Sequence, residues 1–506
     1  MEMKMKEPLR IPERVRTAGA VTAPERARHQ GKEGIITEAD RMNKVTKDNA
    51  FYRNFFSIYV ALVLQNVVTL SVNLADNIML GAYGETALAG VAAVNQIQFV
   101  YQQLIMALGD GLVILGSQYW GRGEAGSLKK IAVSAMYAGL VTGTVLFILA
   151  SALPWRMVGA FTTDGNIIGE GVKYLRVIRF TYPFFAVTQL LLATLRSTET
   201  VKIAFRLSVL TFCVNCGINY VLIFGNFGAP RLGAKGAAIG TLTARVLECG
   251  VLIGYIYLGT KENSEKCKNG KNGFVKLRIS LNDYLQYDRV LGKDYLRITA
   301  PMLLVQGLWG LNTALQTVIL GHMTAAAIAA NSAASTLFLM VKSTAVGAAS
   351  AASVIIGKTV GTGDHARVRE YSGRLQRIFL VIGVLSGIFL FFLRIPVLGL
   401  YDLKPETKEM ANAFLMILSV VCVGMSYQMP TNNGIIRGGG NALYVVKMDL
   451  VSIWLIVLPL SFVMAFVVKA SPIVVVCCLN ADQIFKCIPA FLMSHYGNWI
   501  RKLTRD

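Results

Sequence analysis

The sequence predicts an all-α integral membrane protein, with twelve transmembrane helices in two pseudo-symmetric six-helix lobes. Three observations predict it. Of 506 residues, 54% are hydrophobic and 16% charged, against about 25% charge in soluble domains. The apolar residues gather in runs such as IAVSAMYAGLVTGTVLFILASAL at 131–153, long enough to cross about 30 Å of hydrocarbon. The second half of the chain repeats the plan of the first.

Residues 1–50 are polar and mixed in charge, with no apolar core of a signal peptide, and read as a disordered cytoplasmic N-terminal extension. Met42 opens MNKVTKDNAFYRNFF, itself a plausible start, so residues 1–41 read as an upstream extension. Six apolar spans at 53–80, 91–118, 131–153, 172–195, 203–225 and 236–259 then form an N-terminal lobe over 51–260. The loop at 81–90 has no Lys or Arg, whereas 119–130 carries Arg122, Lys129 and Lys130. Pro183 is placed to bend the fourth span. Residues 261–297 are a basic cytoplasmic inter-lobe loop. Six further spans at 298–320, 326–356, 376–394, 410–436, 444–468 and 471–493 form the C-terminal lobe, 298–497, before a cytoplasmic tail at 498–506. The loop at 321–325 is free of Lys and Arg, and 357–375 carries Lys358, Arg367, Arg369 and Arg374. Pro430 can bend the tenth span, and Gly and Ala in the second, sixth and eighth allow close helix approach. The alternation of basic loops sets both termini in the cytoplasm of a multi-pass protein of the cell membrane. It also accounts for the net charge of +21 without nucleic acid. The eight cysteines are scattered, and the Cys213–Cys216 pair has no second pair at ligand spacing, so neither metal nor disulfide scaffold is expected.

A constant shift of 240 lays residues 78–124 on 318–364: Gly81 meets Gly321, Gly121 meets Gly361 and Gly123 meets Gly363. TLRST at 194–198 meets IIRGG at 435–439, pairing Arg196 with Arg437 at a shift of 241. Each half crosses an even number of times, so the copies are parallel, an arrangement that places a transport site between them near mid-membrane.

Inside the first span Asn66, Thr69, Asn73 and Asp76 share one helix face. A charge at the centre of a membrane helix costs about 2.5–3.5 kcal/mol and persists when it faces a cavity or partner. Position alone leaves two readings of Asp76, a hydrated helix end or a functional carboxylate.

Four segments resemble the multidrug and toxic-compound extrusion (MATE) family: DNIMLGAYGETALAGVA (76–92), SQYWGRGE (117–124), NYVLIFGNFGAPRLGAKGAAIGT (219–241) and WIRKLT (499–504). The resemblance spans residues 51–506. It implies two V-shaped lobes and antiport, Na⁺ or H⁺ entering as an organic, often cationic, compound leaves, with no other cofactor. It also implies that Asp76 is the cation carrier, with Asn215 and Asn219 on the fifth helix and Thr241 on the sixth as partners. Some members hold a carboxylate where this chain has Asn219. The neutral oxygen cluster favours Na⁺, while a proton needs only the carboxylate. The family often has a proline in its first helix, and this chain has none between Phe51 and Gly81.

The C-terminal lobe has no Asp or Glu between Asp294 and Asp364, so no carboxylate cation site is expected there. A substrate path is read instead from Asn66, Thr69 and Asn73, from Trp309, Asn312 and Gln316 on one face, and from Asn331, Lys342 and Tyr427. Trp309 and Tyr427 offer π faces to a cation; ordinary interhelical packing is the alternative for each. Asp110 is read as facing water near the cytoplasmic end, Asp449 as lying near the inner surface, and Arg245 with Glu248 as a structural pair.

Rival readings are weaker. A two-lobed flippase exporting a lipid-linked precursor needs several cations in its cavity, and Lys342 stands almost alone. A membrane enzyme needs a converging constellation, and His29, His322, His365 and His495 are dispersed. A channel fits the repeat and single carboxylate less well than alternating access. The expected partners are membrane lipid and small organic substrates, not nucleic acid, with the chain a monomer.

Overall fold

The computed structural model describes residues 38–258, 287–321, 323, 325–400 and 404–505. Among them the structure is helical, and each predicted span is met by a helix. The N-terminal set is α1 Glu38–Tyr83, α2 Glu85–Gly121, α3 Ala125–Ala152, a two-part α4 (Gly165–Ile178 and Thr181–Ser197), α5 Lys202–Phe224 and α6 Ala234–Leu258. The C-terminal set is α7 Arg289–Gly321, α8 Ala325–Gly361, α9 His365–Leu400, α10 Pro405–Ile436, α11 Ala442–Val467 and α12 Pro472–Tyr496. Ten of these are long and apolar enough to cross a membrane, and the bent α4 makes eleven. The twelfth, α7, is 33 residues long and more polar.

The helix α1 starts at Glu38, inside the extension expected at 1–50, and runs through residue 51 without a break. Residues 1–37 and most of the 261–297 loop lie outside the described residues.

Local chemistry explains the interruptions. The two parts of α4 meet at 54°, just before Pro183, which has no N–H for the Arg179 carbonyl; that carbonyl accepts from the Tyr182 N–H at 3.2 Å instead. At Pro430, which has no N–H to continue the α-helical ladder, the helix α10 widens into a π-helical turn, Pro430–Ile436. Asp288 caps α7 by accepting from the backbone N–H groups of Val290 and Leu291. The Leu291 N–H and the Lys130 ammonium hold its carboxyl below the usual range.

Two apolar cores form. One is drawn chiefly from α2–α6, around Leu112, Tyr182 and Leu190. The other is drawn from α7–α12, around Phe414, Leu415 and Val475. Outward, Val381, Leu385, Phe389 and Phe392 of α9 form an exposed apolar stripe, as hydrocarbon solvent requires.

The lobes meet where α2 and α8 cross, and the crossing follows the repeat. A side chain at Gly121 would strike the Lys358 carbonyl, and one at Gly361 would strike the Gln118 carbonyl. Gln118 corresponds to Lys358 at the shift of 240, so the two contacts are copies of each other. Both helices end in the same left-handed turn, with φ +81° at Gly123 and at Gly363. Lys358 reaches Glu199 at 2.9 Å across the seam.

The C-terminal tail lies over this crossing. Trp499 is fully buried against Gly439, and the Arg501 N–H donates to the Gly439 carbonyl at 2.8 Å. The Leu503 N–H then donates to Gln118 Oε1 at 2.8 Å, and Arg122 donates to the Thr504 hydroxyl at 3.1 Å. The tail thus bonds to both lobes.

Candidate functional site

Asp76 stands two turns before the end of α1, and the structure joins it to three residues of α5 and α6. The Asn219 amide donates to Asp76 Oδ1 and, at 3.2 Å, to Asn215 Oδ1. The Asn215 amide donates to Thr241 Oγ1 at 3.2 Å. All four residues proposed from sequence therefore converge. The local cause is simple: Asn215 and Asn219 are one turn apart on α5, and their buried face is covered by α6. Gly240 makes the fit, because a Cβ there would strike Asn219 Oδ1. Asn215 is 1% and Asn219 0% exposed.

Asn219 Oδ1 is buried without a hydrogen-bond partner. A buried amide oxygen is costly to leave unpaired, by about 1–3 kcal/mol. Two further charged or polar groups lie near the carboxylate and were not foreseen there, Tyr174 of α4 and Arg245 of α6. Arg245 also binds Glu248 at 2.7 Å, the pair expected from their spacing, and lies 5.1 Å from the Phe185 ring.

The remaining stripe of α1 is not drawn into this cluster. Thr69 is exposed and returns its hydroxyl to the Gln65 carbonyl at 2.9 Å, Asn73 is exposed, and Asn66 is half-buried. In the C-terminal lobe, Gln316 donates to Asn312 at 3.4 Å, and Ser335 to Asn331 at 3.4 Å. Lys342 sits 4.9 Å over the Trp309 ring, which also meets Phe99 of α2 at 5.7 Å. The ring read as a π face for a substrate cation thus also has a cation of the protein itself beside it. Tyr427 is half-buried on α10, beside the polar chain described next.

Two charge clusters differ from the sequence reading. Asp110 does not simply face water: its Oδ2 accepts from Arg437 at 3.0 Å, with Arg196 at 3.8 Å from Oδ1. Asp449 is not an isolated inner-surface acid. Lys486 of α12, buried, binds Asp449 of α11 and Asp482 of α12 at 2.9 Å each. Gln483 donates to Asp482, Gln428 to Gln483 and Asn432 to Gln428, at 2.9, 2.8 and 3.0 Å. In the C-terminal lobe a buried lysine is thus shared by a half-buried acid of α11 and a buried acid of α12.

The MatE family model matches this chain twice, at residues 61–221 and 301–463. The two matches begin 240 residues apart, the shift of the internal repeat. The chain belongs to the MatE family. Its fold, twelve helices in two repeated lobes, is that of the family's solved structures, and members of the family are transporters rather than enzymes. The chain is similar to a probable multidrug resistance protein NorM of Thermotoga maritima, 24% identical over 445 residues, covering 87% of this chain and 92% of the relative. It is 23% identical to the probable multidrug resistance protein YoeA of Bacillus subtilis, over 83% of this chain and 88% of that one. An outward-facing multidrug resistance MATE transporter matches in structure with a TM-score of 0.76, at 18% identity over 87% of this chain and 94% of its own. The eukaryotic MATE transporter AtDTX14 matches at 0.75, with 18% identity over 90% and 97%. As a MatE member, the chain is a multi-pass membrane protein.

Proposed function

We propose that this MatE protein is a secondary multidrug antiporter of the cell membrane, with both termini cytoplasmic. It exports organic, often cationic, compounds in exchange for a cation bound at Asp76, by alternating exposure of a site between its lobes. The observation that carries the reading is the convergence of Asp76, the one acid between Phe51 and Tyr83, with the buried Asn219 and Asn215 and with Thr241. The names of its relatives support multidrug export, and the alternation of basic and non-basic loops supports the orientation.

Na⁺ and H⁺ both remain chemically available, and the hydrogen-bond pattern favours the proton. Na⁺ requires several oxygens turned inward, whereas here the Asn219 amide presents its N–H to Asp76. A protonated Asp76 would become a donor, and the unpartnered Asn219 Oδ1 is the acceptor that a turn of that amide would bring to it. The substrate path runs along Asn66, Thr69 and Asn73 on one side and along Trp309, Asn312, Gln316, Asn331, Lys342 and Tyr427 on the other. A cationic substrate reaching Trp309 displaces the Lys342 ammonium from the ring.

In a drug-sensitive bacterial host, the protein is expected to lower accumulation of a fluorescent cationic dye at least about twofold relative to empty vector. Equal accumulation with the protein verified in the membrane would remove the multidrug reading.

A further inference from the structure

The repeat copies an arginine into each lobe but supplies one aspartate between them. Arg196 ends α4 in the N-terminal lobe, and Arg437 follows α10 in the other, paired at a shift of 241. Both point to Asp110 of α2. At the shift of 240, the counterpart of Asp110 is Ser350, so the C-terminal arginine has no copy of this acid in its own lobe.

The two contacts are unequal. Arg437 Nη2 donates to Asp110 Oδ2 at 3.0 Å, across the lobe boundary. Arg196, from the same lobe as Asp110, stands at 3.8 Å from the other oxygen, beyond hydrogen-bond distance. Arg437 keeps a local acceptor in Asn433 at 3.3 Å, and its Nε is buried without a partner. The group lies toward the end of α2 that bears the basic loop, in the same region as the Gly121–Gly361 crossing.

We propose that Asp110 is a partner-exchanging lock on the cytoplasmic side of the transporter. With the lobes together, Asp110 holds Arg437 and closes the seam. As they part, Arg196 moves in and takes the carboxylate, so opening does not strand a half-buried acid. Two arginines and one acid make the pair exchangeable; a full set of two pairs, one per lobe, would leave the seam without a tie. The inference rests on the alternating-access reading above, and it assigns a sign to each arginine: Arg437 favours the closed cytoplasmic side and Arg196 the open one.

The test is a distance measurement on the full-length protein in lipid nanodiscs, with the native cysteines replaced. Spin labels go at Gly126→Cys and Ala366→Cys, two exposed positions at the starts of α3 and α9 that correspond through the shift of 240. Electron–electron resonance then reads the two populations. Arg437→Gln is expected to raise the long-distance to short-distance ratio about tenfold, the loss expected for a charged hydrogen bond. Arg196→Gln is expected to lower it, and Arg437→Lys to stay near the parent. In an Asp110→Asn background neither arginine substitution has a further effect. Shifts of the same sign, no shift, a single distance in every variant, or arginine effects that persist without Asp110 would each overturn the lock. Dye export is read separately: opposite shifts in a protein that exports no dye would sink the efflux reading and leave the lock standing, while normal export with unmoved distances does the reverse.

Discussion

Asp76→Asn is expected to return dye accumulation to the level of cells carrying empty vector, at equal membrane expression. Asparagine keeps the size of the side chain and a hydrogen-bonding oxygen for the Asn219 amide, so the α1–α5 contact at Asp76 survives. What disappears is the group that can alternate between a charged and a neutral state. A transporter that moves substrate against its gradient needs that alternation in every cycle. The substitution therefore separates coupling from folding, and detergent-extracted variant and parent are expected to elute alike by size exclusion. A variant that lowers dye accumulation as well as the parent would move the coupling site away from Asp76. Asn219→Asp adds a second buried acid beside the first and is a different experiment, because two carboxylates so close cannot both ionise.

The second large effect concerns stability. Lys486→Met is expected to destabilise the C-terminal lobe by about 3–5 kcal/mol, the usual cost of removing one partner from a buried ion pair. The lysine side chain is 4% exposed, and its partners Asp449 and Asp482 are 25% and 7% exposed. Without it, two acids on neighbouring helices lose their shared counter-charge. The measurement is thermal unfolding in detergent, followed by loss of the monodisperse peak. The triple variant Lys486→Met, Asp449→Asn, Asp482→Asn is expected to recover much of the loss, since it removes the stranded charge together with the pair. If Lys486→Met unfolds with the parent, the cluster does not hold α11 to α12.

The architecture was legible in the sequence because hydrocarbon imposes a length and an apolar composition on each span. The twelve runs, the prolines that interrupt the fourth and tenth, and the shift of 240 all reappear in the helices, the 54° bend and the paired glycine contacts. The Asp76 pocket was legible for a different reason. Asn215 and Asn219 share a face by spacing, but only the family resemblance linked that face to α1 and α6. Where neither rule applied, the reading stopped at the single residue. Asp110 and Asp449 each looked like an acid near a surface, because a one-dimensional pattern does not say which distant cation lies opposite. The pairing of Arg196 with Arg437 in the repeat was legible, but not that both stand at one acid, Asp110. For Lys486 the spacing showed only its i,i+4 neighbour Asp482; nothing in the pattern said that Asp449 of α11 lies opposite. Trp309 shows the same limit: its place on a polar helix face was legible, but not that Lys342 of α8 lies 4.9 Å over its ring.

The central claim, that Asp76 carries the cation that drives export, is tested most directly by purified protein in liposomes. A cationic dye is followed while either a pH gradient in Na⁺-free buffer or a Na⁺ gradient at fixed pH is imposed. The proposed mechanism predicts dye movement driven by the pH gradient, opposite in direction to the proton, and none in Asp76→Asn. Movement driven by Na⁺ alone would assign the ion differently. Gradient-driven dye movement that persists undiminished in Asp76→Asn would contradict the claim.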